Sequence, residues 1–120
     1  MVKISPQAQQ AVREWRQRLH RHPELGYAEH ETARAIAAYL ENLGWRVETG
    51  LAGTGVLARL PGTRSAPRVL LRTELDALPI QDETGLPFSS AVPGVSHACG
   101  HDAHMAILIG VATTLRSEEH

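Results

Sequence analysis

The stretch from His101 to Arg116, HDAHMAILIGVATTLR, constrains this chain more than any other. Met105, Leu108, Ile109, Ala112 and Leu115 share one helical face, and Ile107 and Val111 are apolar as well. A helix that is apolar nearly all round is stable only when other elements cover it. Whatever else the chain forms must therefore pack around this last helix.

Two helices upstream can supply cover. Ser5 and Pro6 read as an N-cap and a first helical residue. Ala8, Val12, Trp15 and Leu19 then recur at helical spacing. This helix should stop near 20–22, because Pro23 disfavours α geometry in His22. Arg13, Arg16, Arg18 and Arg21 read as a solvated face, and positive charge suits a last turn. His20 and His22 read as helix-end residues rather than ligands. After a turn at 23–27, a second helix is expected over 29–43. Its stripe is Ala33, Ile36, Ala37, Leu40 and Leu43, with Gly44 at the position after the cap.

The period then falls towards two. Trp45 to Thr49 and Gly55 to Leu60 read as strands joined by turn residues, and a hairpin is the simplest pairing. Thr63 to Pro67 reads as a polar surface loop. Val69-Leu70-Leu71 opens a third strand, apolar on consecutive residues and so expected to be central and covered on both faces. It runs into Arg72-Thr73-Glu74-Leu75-Asp76. Residues 77–100 show no period, and irregular stretches of that length are often functional. The order α-α-β-β-β-loop-α predicts an α/β layer with helices covering a sheet. A strand leading through a long loop to a buried helix is the arrangement that feeds a crossover to a parallel neighbour. None follows before His120, so the chain reads as the front part of a larger domain.

Composition narrows the function. Twelve Lys and Arg against thirteen Asp and Glu leave a net charge of -1, which lacks the basic excess of an electrostatic nucleic-acid binder. No apolar run approaches the ~20 residues of a membrane span, and Met1 to Pro6 lack the apolar centre of an export signal. The one cysteine, Cys99, permits no internal disulfide and suits a reducing compartment. A cytoplasmic protein without nucleic-acid or membrane partners is expected. Seven histidines keep a metal site open.

The densest polar cluster is Ser96-His97-Ala98-Cys99-Gly100-His101-Asp102-Ala103-His104, at the mouth of the last helix. Cys and His both bind borderline divalent metals. In an extended segment residues two apart point to one side, so Cys99 and His101 could face one ion. The helix N-terminus favours the thiolate that binds metal. A carboxylate on a ligand histidine's second nitrogen is the usual support, and Asp76 at the end of the third strand is the candidate for it. Glu74, two residues earlier, could ligate or orient a metal, or pair with Asp76 as acid and base. Plain readings stand beside these: an inert buried cysteine, polar residues around a helix start, a solvated strand end, or a Cys–His nucleophile pair.

Four motifs occur in order: Leu19-His20-Arg21-His22-Pro23-Glu24-Leu25-Gly26, Gly53-Thr54-Gly55-Val56, Leu71-Arg72-Thr73-Glu74-Leu75-Asp76-Ala77-Leu78-Pro79-Ile80, and His97-Ala98-Cys99-Gly100-His101-Asp102-Ala103-His104. From about Ala11 to Leu115 the series resembles the N-terminal part of the amidohydrolase branch of metallopeptidase family twenty. That branch includes hippurate hydrolases, N-acyl-amino-acid amidohydrolases and indole-acetyl-amino-acid hydrolases. The resemblance implies that residues 1–120 are the N-terminal part of a metal-binding catalytic domain, a mixed-sheet zinc-peptidase-like sandwich, without the family's inserted dimerisation domain. It also implies two divalent ions (Zn²⁺, Mn²⁺ or Ni²⁺) in the full-length parent and a small-molecule N-acyl-amino-acid substrate.

By the same resemblance, Cys99 and His101 map onto metal ligands, and Asp76 onto the carboxylate that orients the ligand shell. His104 matches the motif without an assigned role. Glu74 stands where the family often has Asp, which changes its reach by about one methylene. The family's general base lies in a Glu-Glu pair after a further strand; Glu118-Glu119 here read as a solvated helix end instead. The chain alone is therefore expected to be a weak or inactive hydrolase. The alternative is a non-catalytic metal-binding or self-association module, with homo-oligomers formed through an exposed sheet edge.

Overall fold

The computed structural model describes residues 3–63, 65 and 67–116. Ser5 begins α1 (Pro6–Arg21) as its sequence predicts: its hydroxyl accepts from the Ala8 N–H at 3.1 Å, with Pro6 at the first position. Helix α2 (His30–Asn42) has no cap from its own Glu29. Glu24 in the preceding turn does that work, accepting from the backbone N–H groups of Glu31 (3.2 Å) and Thr32 (2.6 Å). An acidic side chain is stabilising at that positive end of a helix. Gly44, at φ +92°, turns the chain out of α2, a backbone conformation that favours glycine.

The change of period then produces β1 (Arg46–Leu51) and β2 (Gly55–Arg59), paired antiparallel with Val47 opposite Ala58 and Thr49 opposite Val56. The register shifts between Thr49 and Leu51, which makes Gly50 a bulge residue and carries β1 two residues beyond its expected end. The last helix, α3 (His101–Arg116), begins where its periodicity predicts and runs to the last described residue.

The three helices and the hairpin share one core. Trp15 and Leu19 of α1, Ile36 and Leu40 of α2, and Met105, Ala106, Ile109 and Ala112 of α3 are its buried members, with Val47, Val56 and Ala58 packed against it. Trp15 meets Tyr39 edge to face at 5.2 Å. The Tyr39 hydroxyl pairs with Thr113 at 2.9 Å, and the Trp45 indole donates to the Ala112 carbonyl. The α1–α3 crossing is close: a Cβ on Gly110 would lie 2.5 Å from Val12 Cγ2.

Two expectations are corrected. The third strand does not form: residues 67–76 are irregular, with Val69 84% and Leu70 78% exposed. Among the described residues no backbone–backbone hydrogen bond involves 68–75. An apolar run becomes a central strand only where neighbours complete its ladder, and the only sheet among the described residues is β1–β2. For the same reason α3 is covered on its inner faces only, and Ile107 is 59% exposed.

Residues 77–100 are irregular, as expected, yet firmly tied. Ala77 N–H donates to the Glu24 carbonyl (2.8 Å), Leu78 and Ser96 exchange both backbone bonds (2.9 and 3.0 Å), and Ala91 N–H donates to the Arg21 carbonyl (2.8 Å). Glu118 and Glu119, and positions 64 and 66 of the expected polar loop, lie outside the described residues. No helix among those described is long and apolar enough to cross a membrane.

Candidate metal centre

Segment 72–76 runs past the first turn of α3, and the contacts between them build the site. His101 Nδ1 lies 2.9 Å from the Asp76 carbonyl oxygen and 3.0 Å from Asp76 Oδ1. Both are acceptors, so Nδ1 is the donor and Nε2 is the ring nitrogen that Asp76 does not engage. One turn along, His104 Nδ1 lies 3.2 Å from Glu74 Oε2. Positions i and i+3 of a helix share a face, and the two imidazole rings sit 5.9 Å apart. Each of Glu74, His101 and His104 thereby offers one ligand atom within 4.8 Å of the others. The hydrogen bond from His104 holds the Glu74 carboxyl below its usual range.

This donor set fits a divalent cation. Two imidazoles and a carboxylate suit zinc, manganese or nickel. The proton on His101 Nδ1 is held by Asp76, the support that fixes a ligand histidine's orientation. Asp76 thus stands beside His101 as the sequence proposed. Glu74 and His104, which sequence reasoning left without a settled role, complete the cluster. The usable signal was the i, i+3 spacing of the two histidines on one helix.

Cys99 sits differently. It is exposed, in a turn closed by a hydrogen bond from Gly100 N–H to the His97 carbonyl (3.2 Å). The segment is not extended there: Gly100 has φ +83°. The two-residue alternation that aimed Cys99 and His101 to one side therefore does not apply. Cys99 is not one of the three clustered donors.

A second polar group lies behind the site. His20 is buried, not a loose helix end: its Nδ1 is 2.8 Å from Asp102 Oδ2 and its Nε2 3.0 Å from Asp82 Oδ2. Arg16, expected on a solvated face, pairs with Asp102 at 3.2 Å. Asp82 also accepts from the Thr84 N–H and hydroxyl and from the Ser90 N–H. The Thr84 hydroxyl, then these amides, hold its carboxyl far below the usual range. Asp82 was missed; its Asp-x-Thr turn spacing was the available signal. His97 is 5% exposed, and burial pushes its imidazole towards the neutral form. Neither of its ring nitrogens has a hydrogen-bond partner among the described residues.

A mixed α/β fold that gathers two imidazoles and a carboxylate, one imidazole backed by Asp76, has the donor set a metal-site protein would use. Comparison with known proteins sharpens this. Residues 70–120 match Peptidase family M20/M25/M40. The Bacillus subtilis protein YhaA, assigned by its name to the amidohydrolases, is 50% identical over 107 residues, covering 89% of this chain and 27% of its own length. The N-acyl-L-amino acid amidohydrolase of Geobacillus stearothermophilus is 45% identical, covering 82% of this chain and 26% of its own. The crystal structure of Bacillus subtilis YXEP, described as a dinuclear metal binding peptidase from the M20 family, superposes with a TM-score of 0.87 at 40% identity. It covers 92% of this chain and 31% of that one. The chain thus matches Peptidase family M20/M25/M40 over residues 70–120 and is similar to these relatives over most of its own length. It spans about a quarter of the length of these curated relatives.

Proposed function

We propose that this chain carries cation-binding residues of a metal-dependent amidohydrolase that cleaves the amide bond of N-acyl-amino acids. The observation that carries the reading is the convergence of Glu74, His101 and His104, with the His101 Nδ1 proton already held by Asp76. The name of the Geobacillus relative supports the substrate class. In this reading His101 binds through Nε2 and Asp76 keeps it aimed. Glu74 brings the negative charge, and His104 turns from Glu74 to the cation. Cys99 is a further ligand in this reading, as the family resemblance implies. Two divalent ions, of Zn²⁺, Mn²⁺ or Ni²⁺, belong to the full-length parent. A bound cation supplies Lewis-acid polarisation of the amide carbonyl and a more acidic water.

The test uses the purified chain with added Zn²⁺ or Mn²⁺. Stoichiometric metal is expected, lost in His101→Ala and weakened about 10- to 100-fold in Asp76→Ala, the cost of removing a ligand's support. Hydrolysis of an N-acyl-amino acid by the chain itself is expected to be weak. Absence of metal uptake by the unaltered chain would overturn the reading, and vigorous turnover that survives His101→Ala would remove His101 from it.

One observation favours a second reading, a self-associating module. Val69, Leu70 and Leu71 are exposed on a segment that makes no backbone–backbone hydrogen bond among the described residues. An apolar edge of that kind pairs readily with a second copy.

A further inference from the structure

Residues 25–28 close a turn, with the Ala28 N–H donating to the Leu25 carbonyl at 2.9 Å. Its third residue, Tyr27, has φ +64°. A turn with positive φ at that place is of type II and favours glycine there. The chain carries a glycine one place earlier, at Gly26, and sets a bulky ring on the strained residue. Burial does not offset the strain, because Tyr27 is 83% exposed. The other non-glycine residue of this kind among those described, Ala52, lies in the β1–β2 connection, where a tight hairpin link calls for positive φ. Strained residues that packing does not explain gather at ligand sites. The turn is also fastened to the metal centre. The Ala77 N–H donates to the Glu24 carbonyl at 2.8 Å, Leu25 pairs with Ala77, and a Cβ on Gly26 would lie 3.9 Å from Asp76 Cβ. Asp76 in turn holds His101. On its other side the Glu24 carboxyl ties the turn to the start of α2. Tyr27 is thus a firmly carried aromatic ring, open to solvent, one residue from the contact with Asp76.

We propose that Tyr27 is a substrate-contact residue: its ring receives the apolar acyl group of an N-acyl-amino acid and sets a preference for large acyl groups. The inference rests on the cation reading of Glu74, His101 and His104. With the amide carbonyl at the cation, the two ends of the substrate point apart. One end is a carboxylate. Glu24, Glu29 and Glu31 flank Tyr27 in the sequence, and Asp76 stands beside the turn, so that end is repelled from it. The uncharged acyl end is left for the ring. A tyrosine suits the task, because it offers a large flat apolar face and only two side-chain torsions must be fixed on binding. A turn tied on both sides has little freedom left to lose when the ligand settles. Glycine at position 27 would relax the turn and leave an acyl group nothing to touch.

The experiment titrates N-benzoylglycine and N-acetylglycine onto the whole zinc-loaded chain, with wild type, Tyr27→Phe and Tyr27→Gly compared. Proton NMR follows the Tyr27 ring, calorimetry gives the zinc affinity, and urea unfolding gives the midpoint of each variant. Wild type should bind the benzoyl probe about tenfold more tightly than the acetyl probe, the scale of one buried aromatic contact, with the Tyr27 ring resonances shifting. Tyr27→Phe should keep that preference. Tyr27→Gly should abolish it at unchanged zinc affinity, a split that a merely structural role would not produce. Its urea midpoint should not fall, because relief of the positive φ offsets the freedom glycine gains in the unfolded chain. Equal affinity of wild type for the two probes, or a preference that survives Tyr27→Gly, would overturn the proposal. A falling midpoint would do so too, by making the ring a prop of the fold. Should Tyr27→Gly lose its helical signal in circular dichroism, Tyr27→Asn, which tolerates positive φ, takes its place with the same expected result. If wild type takes up no zinc, the proposed function fails by itself. The probes are then titrated onto the metal-free chain, where a Tyr27 ring shift larger for the benzoyl probe supports the contact and its absence overturns it.

Discussion

Asp82 shows how much one side chain can organise in a stretch without regular structure. Its carboxylate accepts from the Thr84 hydroxyl, the Ser90 and Thr84 amides and His20, so the ionised form is strongly favoured in the fold. A carboxyl held below its ordinary value stabilises fully above that value and loses its contribution as pH falls through the folded one. Urea unfolding of Asp82→Asn against wild type should therefore show a constant loss from pH 7 down to about pH 4. Below that the difference should shrink; a difference that grew with acid would contradict the assignment. The same arithmetic explains why residue-level reasoning on sequence ran out here. Asp82 and His20 are 62 positions apart, and His20 and Asp102 are 82 apart. No local spacing announces such pairs, and a histidine at a helix end looks solvated until a loop folds over it.

At the scale of elements, periodicity and capping chemistry carried far. Helix α1 has the ends that Ser5, Pro6 and Pro23 imply, and α3 begins where the apolar run from His101 implies, because those signals are local to the backbone they shape. Gly110 was not legible as a contact. It is where α1 crosses α3, and Val12, stiff through its branched Cβ, leaves no room for a methyl group. Gly110→Ala should cost about 1–3 kcal/mol through overpacking, less whatever alanine's better helix propensity returns. Adding Val12→Ala should recover part of the loss. Urea midpoints of the two single variants and the double variant measure the coupling; strict additivity would show that the crossing is looser than the structure has it.

At the scale of the whole molecule, the exposed run Val69-Leu70-Leu71 is where the self-associating reading can be tested. Beside it, Leu71, Glu74, His104, Ile107 and Val111 line an open groove along α3. Sedimentation equilibrium should show the chain's mean mass rising with concentration, and Leu70→Lys should move it towards the monomer. A concentration-independent monomer for the unaltered chain would remove the self-associating reading. Sequence alone determined the helices, the hairpin and the neighbourhood of the candidate metal centre, since caps, periods and a dense His–Cys–Asp motif are written in adjacent residues. Tertiary structure alone decided that the third apolar run stays unpaired and that Glu74 and His104 join His101. It alone drew His20 between two aspartates. Each of these depends on which distant groups are close enough to share a hydrogen bond or a cation, and neither composition nor spacing measures that distance.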